Sequence, residues 1–489
     1  MSLSAELRAI EREIDNYHLS NLLTKRPFAE AAWYFLAFCE ERVVHDIIRP
    51  TGDALHEQVA AADNLIVHSK TPLQWLRRVC PPGGRIPSKF DESLYKAAWQ
   101  LSQLSTEYLS FESAFTYATL GLLSISVDAN KLKTTGPMRN DTQYDAYDRF
   151  MDIHRLPSVE LSDTSFMDRV AASVRVRNEW FDYDLNPGIV RAGLESLAPL
   201  LANRFVLPKD WRLPRFKLQE FERIANVLWV IAFIHFHART IAAMRGCKGI
   251  GFMRALIVME MSELINRLRR YSGVDESVVA AVVEDLTYAS RDQSNPDLAL
   301  QPIVLLSKST VAISPNILMN SSMERNLTVL LNRLPTEKQV YSKLSKDREL
   351  TSRNSIINKL SDLGFRFWYG NVPQWDASSE IDLAIVSDVE QCCLILELKS
   401  FIGPAEAREI RDRSEEIHRG LEQTRKRMQM ANSCPEPLRQ ILKITTNYKL
   451  EWGVASETSV GASYVQTADI PVVNAYHLTA YLCKERKLT

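Results

Sequence analysis

Two apolar segments constrain the fold of this chain more than any other part of its sequence. They read EIDLAIV at residues 380–386 and CCLILELKS at residues 392–400, with the polar segment SDVEQ between them. Runs of aliphatic residues bounded by a polar turn predict the two strands of a β-hairpin. Three charged residues interrupt these runs, although burial of a charge costs free energy. Asp382, Glu397 and Lys399 therefore require an explanation.

These three side chains are predicted to meet at one end of the hairpin. Side chains alternate between the two faces of a strand, so Asp382 shares its face with Glu380, and Glu397 shares its face with Lys399. Because the turn is short, pairing of the strands brings Asp382 close to Glu397 and Lys399. Glu380 is then an acid at the edge of the hairpin or a support for the other two.

Two carboxylates and one amine form a group that suits hydrolysis of a phosphodiester. Carboxylate oxygens are hard ligands for Mg²⁺, which keeps several waters and also binds phosphate oxygens. A bound metal polarises the phosphate and lowers the pKa of a water ligand, and a lysine can stabilise charge in the transition state. The alternative is an exposed strand whose Glu and Lys serve solubility. The first interpretation predicts Mg²⁺ or Mn²⁺ as the cofactor.

The segments around the hairpin predict a mixed α/β domain over residues 336–489. A helix is predicted over residues 337–363, with a weak point near Thr351 and Ser352. There follow a strand (FRFWYG), the hairpin, a long helix (AEAREIRDRSEEIHRGLEQTRKRMQM, from Ala405), two strands (EWGVASE and IPVVNAYHL) and a last helix. Helices and strands in this order indicate a central mixed sheet covered by helices.

The motif EID at residues 380–382, followed by ELK at residues 397–399, resembles the active site of the PD-(D/E)xK nuclease superfamily. The order of helix, strand, hairpin, helix and strand is similar to the restriction-endonuclease-like core of that family. The resemblance implies that Asp382 and Glu397 bind the metal and that Lys399 assists the attacking water. It also implies a nucleic-acid substrate, DNA rather than RNA, and a role in restriction or phage defence.

Three further site residues follow from this resemblance alone. It implies that the Leu398 carbonyl binds the metal, that Gln423 on the next helix is catalytic, and that Glu349 on the first helix is a metal ligand. Glutamine and glutamate are also common on exposed helix faces. Two positions depart from the family pattern, because Ile381 replaces the proline of the motif and Arg427 stands where some branches have tyrosine.

Residues 1–296 are predicted to form a mostly helical domain of unknown role. Apolar residues recur at three- and four-residue spacing, as in AAWYFLAFCEERVVHDII, which is typical of helices. Residues 297–335 predict a connector of two short strands in PIVLLSKSTVAISP, followed by a helix that Pro335 ends. Thr336 and Gln339 have the spacing of a capping box that starts the next helix. We therefore place the main boundary at about residue 335.

Composition and motifs exclude several classes of protein. The net charge is −1, so the chain lacks an overall positive charge for nucleic-acid binding, and any basic surface must be local. Seven scattered cysteines without a CxxC pair, and an amphipathic N-terminus unlike a signal peptide, predict a cytoplasmic protein. The sequence has no Gly-rich phosphate loop of the kind that nucleotide-driven motors use.

The most apolar run, ANVLWVIAFIHF at residues 225–236, predicts a buried helix and no association with a membrane. The run is too short to span a bilayer. His235 and His237 are poorly spaced for binding one zinc ion on either a helix or a strand. Both are expected to be histidines of the core or of a polar helix face.

Together these patterns predict a metal-dependent nuclease domain behind a helical region that selects a substrate, a partner or an activation state. The helical region would also provide the contact for a homo-oligomer or a protein partner. Two alternatives stay open. One is a binding or scaffold protein with a degenerate nuclease core, against which the intact Asp382, Glu397 and Lys399 argue. The other is an RNA-processing nuclease, because the same metal chemistry serves both nucleic acids.

Overall fold

The computed structural model divides the chain into two compact units. It describes residues 3–48, 69–119, 123–128, 131–135, 165–202, 204–205, 207–291, 296–375, 380–400, 407–457, 465, 467 and 469–488. The first unit consists of the described parts of Met1–Phe111, Ala129–Lys131 and Ser158–Ser342. The second consists of the described parts of Glu112–Asp128, Leu132–Pro157 and Lys343–Thr489. The second unit thus takes in residues near 112–135, which the sequence assigns to the helical region.

The first unit is mostly helical, as the sequence predicts. Its helices are α1 (Leu3–Asn16), α2 (Phe28–Ile48), α3 (69–79), α4 (Glu92–Thr119, ending in the second unit), α5 (Ser165–Ser173), α6 (Pro187–Ser196), α7 (Ala198–Ala202), α8 (Leu218–Met244), α9 (Met261–Ser272), α10 (Glu276–Asp285), α11 (Pro315–Asn320) and α12 (Met323–Arg333). Short 3₁₀ turns lie at Tyr17–Ser20, Leu22–Lys25 and Lys248–Arg254. Helix α13 (Pro335–Leu360) runs from the first unit into the second.

The described residues before α13 also include seven short strands. The strands are β1 (Ser124–Asp128), β2 (Lys131–Thr135), β3 (Arg175–Arg177), β4 (Trp180–Asp182), β5 (Ile257–Glu260), β6 (Ile303–Leu305) and β7 (Thr310–Ile313). β6 and β7 form the predicted hairpin, and β5 pairs with the other edge of β7. The predicted connector is therefore built into the first unit. Strands of three or four residues show too little alternation to be recognised among helices, which is why β3, β4 and β5 were not predicted.

Helix α8 forms the centre of the first unit. Among the described residues it is the one helix long and apolar enough to cross a membrane, but most of its apolar stretch is buried inside the protein, as in the core helix of a soluble protein. The helix is longer than the apolar run that predicts it, because polar residues extend it at both ends. His235 accepts a hydrogen bond from the Tyr183 hydroxyl (2.9 Å) and donates one to the Arg254 carbonyl (2.8 Å). Burial lowers the pKa of His235 to about 3, so it is the expected neutral core histidine.

The second unit contains the predicted mixed sheet. Its strands are β8 (Arg366–Asn371), β9 (Glu380–Ser387), β10 (Cys392–Lys399), β11 (Lys449–Ser456) and β12 (Val472–Asn474), in the order β12-β11-β10-β9-β8. β8, β9 and β10 are antiparallel neighbours, whereas β10, β11 and β12 are parallel. The predicted hairpin is therefore confirmed, and it lies at the middle of the sheet.

Helices cover both faces of this sheet. They are the second half of α13, a 3₁₀ turn (Ser361–Leu363), α14 (Ala407–Ser433), α15 (Pro435–Leu442) and α16 (Ala475–Glu485). On one face, Leu360 of α13 and Leu482 of α16 pack against sheet residues such as Leu383. On the other, α14 and α15 pack against sheet residues through buried side chains that include Ile417 and Leu438. The apolar composition of the strands explains this three-layer arrangement, because the central strands β9, β10 and β11 bury most of their residues on both faces.

Some boundaries differ from the predicted ones. Helix α13 continues through Thr351 and Ser352 without interruption. Helix α15 was not predicted, since its first three residues are PEP. Strand β12 ends at Asn474, and the following residues AYHL, which the sequence assigns to the strand, are helical. The Asn474 side-chain oxygen caps α16 by accepting hydrogen bonds from backbone amides in its first turn. The predicted first residues of the long helix fall in 401–406, which lie outside the described residues.

Candidate active site

The pairing of β9 with β10 places Asp382 beside Glu397. Leu383 lies opposite Leu396, and Ala384 lies opposite Ile395. Continuing this antiparallel register by one residue puts Asp382 opposite Glu397. Directly opposite residues of neighbouring strands point to the same face and lie within contact distance. The predicted convergence of the two acids therefore follows from the register.

The sheet is irregular next to Asp382. Trp368 of β8 lies opposite Ala384, and Gly370 lies opposite Ile381, with a register shift between the two pairs. Gly370 has a φ of 124°, which glycine adopts at little cost and other residues rarely adopt. Bulges of this kind are frequent beside active sites, where they change the direction of a side chain. Asp382 lies on the short stretch of β9 that faces the irregularity.

Asp382 is a mostly buried acid held by the backbone of the next strand. Its Oδ2 atom accepts a hydrogen bond from the Leu398 N–H at 2.7 Å. Burial, and then the charge of Glu397, raise the pKa of Asp382 to about 7, although the Leu398 amide acts in the opposite direction. This carboxyl group therefore changes charge near neutral pH, which an acid held for solubility would not do.

Glu397 is buried, with 4% of its surface exposed, and two cations of the chain hold it. Its Oε1 atom accepts a hydrogen bond from Lys399 Nζ at 2.6 Å. Its Oε2 atom accepts a hydrogen bond from the guanidinium of Arg427. Burial acts to raise the pKa of Glu397, but Lys399 and Arg427 outweigh it and hold the pKa below its ordinary value. The two neighbouring acids thus have separate roles, one ionised and one close to its titration point.

Lys399 links the strand to helix α14. Its Nζ atom also donates a hydrogen bond to Gln423 Oε1 at 3.1 Å, so Gln423 lies at the site, as the resemblance implies. Gly420 lets the helix approach: a Cβ atom there would be 2.9 Å from Lys399 Cε and 3.5 Å from Glu397 Cγ. Contacts below 3.0 Å require one partner to move, so a side chain at position 420 would displace the end of the Lys399 side chain.

Leu398 presents its backbone to the same side of β10. The N–H and C=O of one residue in a strand point toward the same neighbouring strand. The Leu398 N–H reaches Asp382 on β9, so the Leu398 carbonyl also points to the β9 side. This is the direction that a role as a metal ligand requires.

Two further acids that the sequence singles out are exposed. Glu349 is exposed on α13, and its place among the metal ligands stays a prediction. Glu380 is exposed at the start of β9, opposite Asn371 of β8, as expected of an acid at the hairpin edge. Within the described ranges, no group of three or more His, Cys, Asp or Glu side chains is placed to hold a metal ion.

A second polar cluster lies at the ends of the parallel strands β10 and β11. The Glu457 N–H donates to the Lys399 carbonyl at 3.1 Å. The Glu457 carboxylate accepts hydrogen bonds from Ser400 Oγ (2.5 Å) and from Arg348 Nε (3.1 Å). The Asn474 side chain donates to the Glu457 carbonyl at 3.4 Å. Open α/β sheets usually bind ligands at the carboxyl ends of their parallel strands. At this end of the sheet, Glu457 connects β10, which carries Lys399, to α13.

Sequence reasoning missed three residues of this region: Arg427, Gly420 and Glu457. Arg427 was noticed only as a departure from a family pattern. Gly420 had a usable signal, since a glycine inside a long helix costs about 1 kcal/mol and so marks a close contact. Glu457 directly follows a buried strand, but nothing in the sequence reveals which element its side chain contacts.

The oxygen donors present suit a hard divalent cation. Asp382 and Glu397 offer carboxylates, and the Leu398 carbonyl faces the same side. Mg²⁺ binds through one or two carboxylates and keeps several waters. Each oxygen of Glu397 already accepts a hydrogen bond from a cation, Lys399 or Arg427. A metal ion bound to Glu397 would therefore lie next to Lys399 and Arg427, and it would compete with their positive charges for the same carboxylate.

Similar proteins were sought by comparing the chain with protein-family models, curated proteins and solved structures, and none of the three comparisons finds a match.

Proposed function

We propose that this protein is a metal-dependent nuclease that hydrolyses phosphodiester bonds in DNA. One observation carries the proposal: Asp382, Glu397 and Lys399 come together at one end of the sheet, where Lys399 donates a hydrogen bond to Glu397 and the Leu398 N–H between them donates one to Asp382. An acid pair beside an amine, with an unusual pKa in one acid, is typical of catalytic sites. The chemistry of this group supports hydrolysis of a phosphate ester more directly than any other reaction.

The chain's residues take distinct roles in this proposal. Asp382 and Glu397 hold the metal, with the Leu398 carbonyl as a third oxygen donor. A bound Mg²⁺ or Mn²⁺ ion would polarise the phosphate and lower the pKa of a water molecule. Lys399 orients the attacking water and stabilises the negative charge that develops in the transition state. Gln423 accepts a hydrogen bond from the Lys399 amine and so fixes its direction.

The preference for DNA, and a role in restriction or phage defence, are supported by the resemblance of EID and ELK to a superfamily that mostly cuts DNA. That support is analogy, since one fold serves many functions. RNA is the alternative substrate, and both polymers are therefore included in the test. We also propose a cytoplasmic location, because all seven cysteines are free thiols, as in a reducing compartment.

A second candidate is a nuclease-like fold that binds a partner without cutting. The observation that favours it is that both carboxylate oxygens of Glu397 already accept hydrogen bonds from cations, one from Lys399 and one from Arg427. A carboxylate neutralised in this way is stable without a metal. The two candidates differ in whether divalent metal ions bind at Glu397.

The experiment incubates the pure protein with supercoiled plasmid, linear DNA and RNA, each with Mg²⁺, Mn²⁺ or EDTA. Cleavage of DNA with either metal, and none in EDTA, is the expected result. Glu397→Gln is the matched control, because it keeps the shape of the side chain and removes a charged ligand. Cleavage by Glu397→Gln at the wild-type rate would contradict the proposed site. A wild-type protein that neither binds Mn²⁺ nor cuts would favour the scaffold.

A further inference from the structure

Arg427 is buried against the acid that the proposed function assigns to the metal. Its side chain is 8% exposed, and it donates a hydrogen bond to Glu397 Oε2. It lies on α14 one helical turn after Gln423 and two turns after Gly420, both of which contact or adjoin Lys399. Removing a guanidinium from water is costly unless an acid compensates, and Glu397 is that acid.

The two cations that hold Glu397 are not equivalent. Lys399 has a second partner, because its amine also donates to Gln423 Oε1 at 3.1 Å. Among the described residues, the hydrogen-bond acceptor found for the Arg427 guanidinium is Glu397. The charge of Arg427 also acts on Asp382. The guanidinium therefore lies close to both acids, which is where a divalent cation would bind.

We propose that Arg427 occupies the cation position on Glu397 until a divalent metal ion displaces it, and that the freed guanidinium then binds the phosphate of the substrate. This inference rests on the proposed function. Two positive groups on one carboxylate oxygen repel each other at short distance, and this repulsion favours the departure of Arg427 when the metal binds. A guanidinium offers two parallel N–H donors that match the oxygens of a phosphate.

This exchange explains how the metal-free site stays folded. Two buried acids in contact would destabilise the protein if nothing neutralised them. Arg427 neutralises Glu397 in the absence of metal, and the metal ion takes over this role when it binds. Arg427 thus takes the place of the metal on Glu397, and it becomes a substrate contact once displaced.

The exchange is tested in the full-length chain by two measurements. One is calorimetric titration with Mn²⁺ alone, and the other is the melting temperature in EDTA and in saturating Mn²⁺. Arg427→Gln should bind Mn²⁺ about tenfold more tightly than wild type, because no side chain has to leave. It should melt below wild type in EDTA, and saturating Mn²⁺ should remove most of that difference. It should also cut DNA on the order of 100-fold more slowly, since a phosphate donor is lost.

Arg425→Gln is the matched control. Arg425 lies on the same helix, but it pairs with the exposed Asp469 at 3.0 Å. Its replacement should change the melting temperature equally with and without Mn²⁺ and should leave the Mn²⁺ affinity unchanged. An equal loss of stability in both conditions for Arg427→Gln, or an unchanged Mn²⁺ affinity, would overturn the exchange.

A crystal structure of the wild-type protein with Ca²⁺ decides the question without any variant. The expected result is a Ca²⁺ ion on Glu397 and an Arg427 guanidinium beyond hydrogen-bond distance of that acid. A bound ion with Arg427 still on Glu397 would refute the exchange and leave the nuclease proposal intact. Absence of Mn²⁺ binding and of cleavage in the wild-type protein would instead refute the proposed function, and the exchange with it.

Discussion

Lys399 donates a 2.6 Å hydrogen bond to Glu397, two residues earlier on the same strand. Residues two apart on a strand share a face, so the geometry of β10 alone brings the amine to the acid. Gln423 accepts a second hydrogen bond from the amine at 3.1 Å. The lysine is therefore fixed in place before any substrate arrives, as a group that stabilises a transition state must be.

Lys399→Ala should lower the rate of DNA cleavage on the order of 100- to 1000-fold, because one preorganised charge-stabilising group is lost. Binding of Mn²⁺ should persist, since lysine is not a ligand. The measurements are single-turnover cleavage rates and calorimetric titration with Mn²⁺. Lys449→Ala is the control, because Lys449 is an exposed lysine of β11 that pairs with Glu451. Full cleavage by Lys399→Ala would remove this residue from the proposed mechanism.

Gly420→Ala should slow cleavage without unfolding the protein. The new Cβ atom would lie 2.9 Å from Lys399 Cε, so the lysine has to move away from its partners. Alanine ordinarily stabilises a helix interior by up to about 1 kcal/mol relative to glycine, and here the close contact should offset that gain. Cleavage rates and melting temperatures measure the two effects. The control is Glu422→Ala, at an exposed position of the same helix, which should change neither the cleavage rate nor the melting temperature. Equal cleavage rates for Gly420→Ala and wild type would show that the position of the lysine is unimportant.

The turn of the β9–β10 hairpin has its own stabilising cluster. Arg366 of β8 donates two hydrogen bonds to Asp388, at 2.7 and 2.6 Å, and Tyr448 donates a third at 2.7 Å. These partners lower the pKa of Asp388 to about 2. Asp388→Asn should cost about 1 kcal/mol at neutral pH, because the pair is half exposed and only partly shielded from solvent.

The stabilisation by Asp388 has a defined pH range. Because the pKa of Asp388 is lower in the folded protein than in the unfolded chain, Asp388 stabilises the fold fully at pH values above about 4. This stabilisation is lost as the pH falls toward 2. The difference between Asp388→Asn and wild type should therefore disappear in acid, as measured by urea denaturation at several pH values. Cleavage should be unchanged, since this turn lies at the opposite end of the strands from Lys399. A difference that is constant from pH 2 to 7 would contradict the assignment.

Strand alternation predicted the main group correctly because it depends only on local geometry. Asp382, Glu397 and Lys399 could be placed on one face before the register was known, since the short turn left few ways of pairing the strands. Gln423 required the resemblance, because its helix position alone looked exposed, and the structure does leave it exposed. Its contact with Lys399 depends on how α14 crosses the sheet.

Contacts between distant elements could not be predicted from one sequence. The sequence marks Arg427 only as a departure from the family pattern, yet its side chain is buried because it donates a hydrogen bond to Glu397. The partner, and not the residue type, decides whether an arginine can be buried. The contact between Glu457, which follows β11, and Arg348 of α13 likewise joins elements that are distant in the sequence, so the sequence does not predict it.

The last prediction concerns the charge of Asp382. Its raised pKa means that the folded protein keeps a proton which the unfolded chain releases near pH 4. The metal-free protein should then lose stability as the pH rises from about 4 toward 7, because the folded state binds more protons over that range. Mn²⁺ affinity should change in the opposite direction: it should increase with pH up to about 7 and then level off, since the metal requires the ionised carboxylate.

Asp382→Asn isolates this effect, because asparagine keeps the size of the side chain and cannot titrate. Relative to wild type, its stability in EDTA should increase between pH 5 and pH 8, as measured by urea denaturation. Asp388→Asn is the control, since the low pKa of Asp388 predicts a constant difference from wild type over the same range. Asp382→Asn should also abolish the pH dependence of Mn²⁺ binding along with most of the affinity. If the stability difference between Asp382→Asn and wild type were the same at pH 5 and pH 8, Asp382 would have an ordinary pKa, and the combined effect assigned to its burial and to the charge of Glu397 would be wrong.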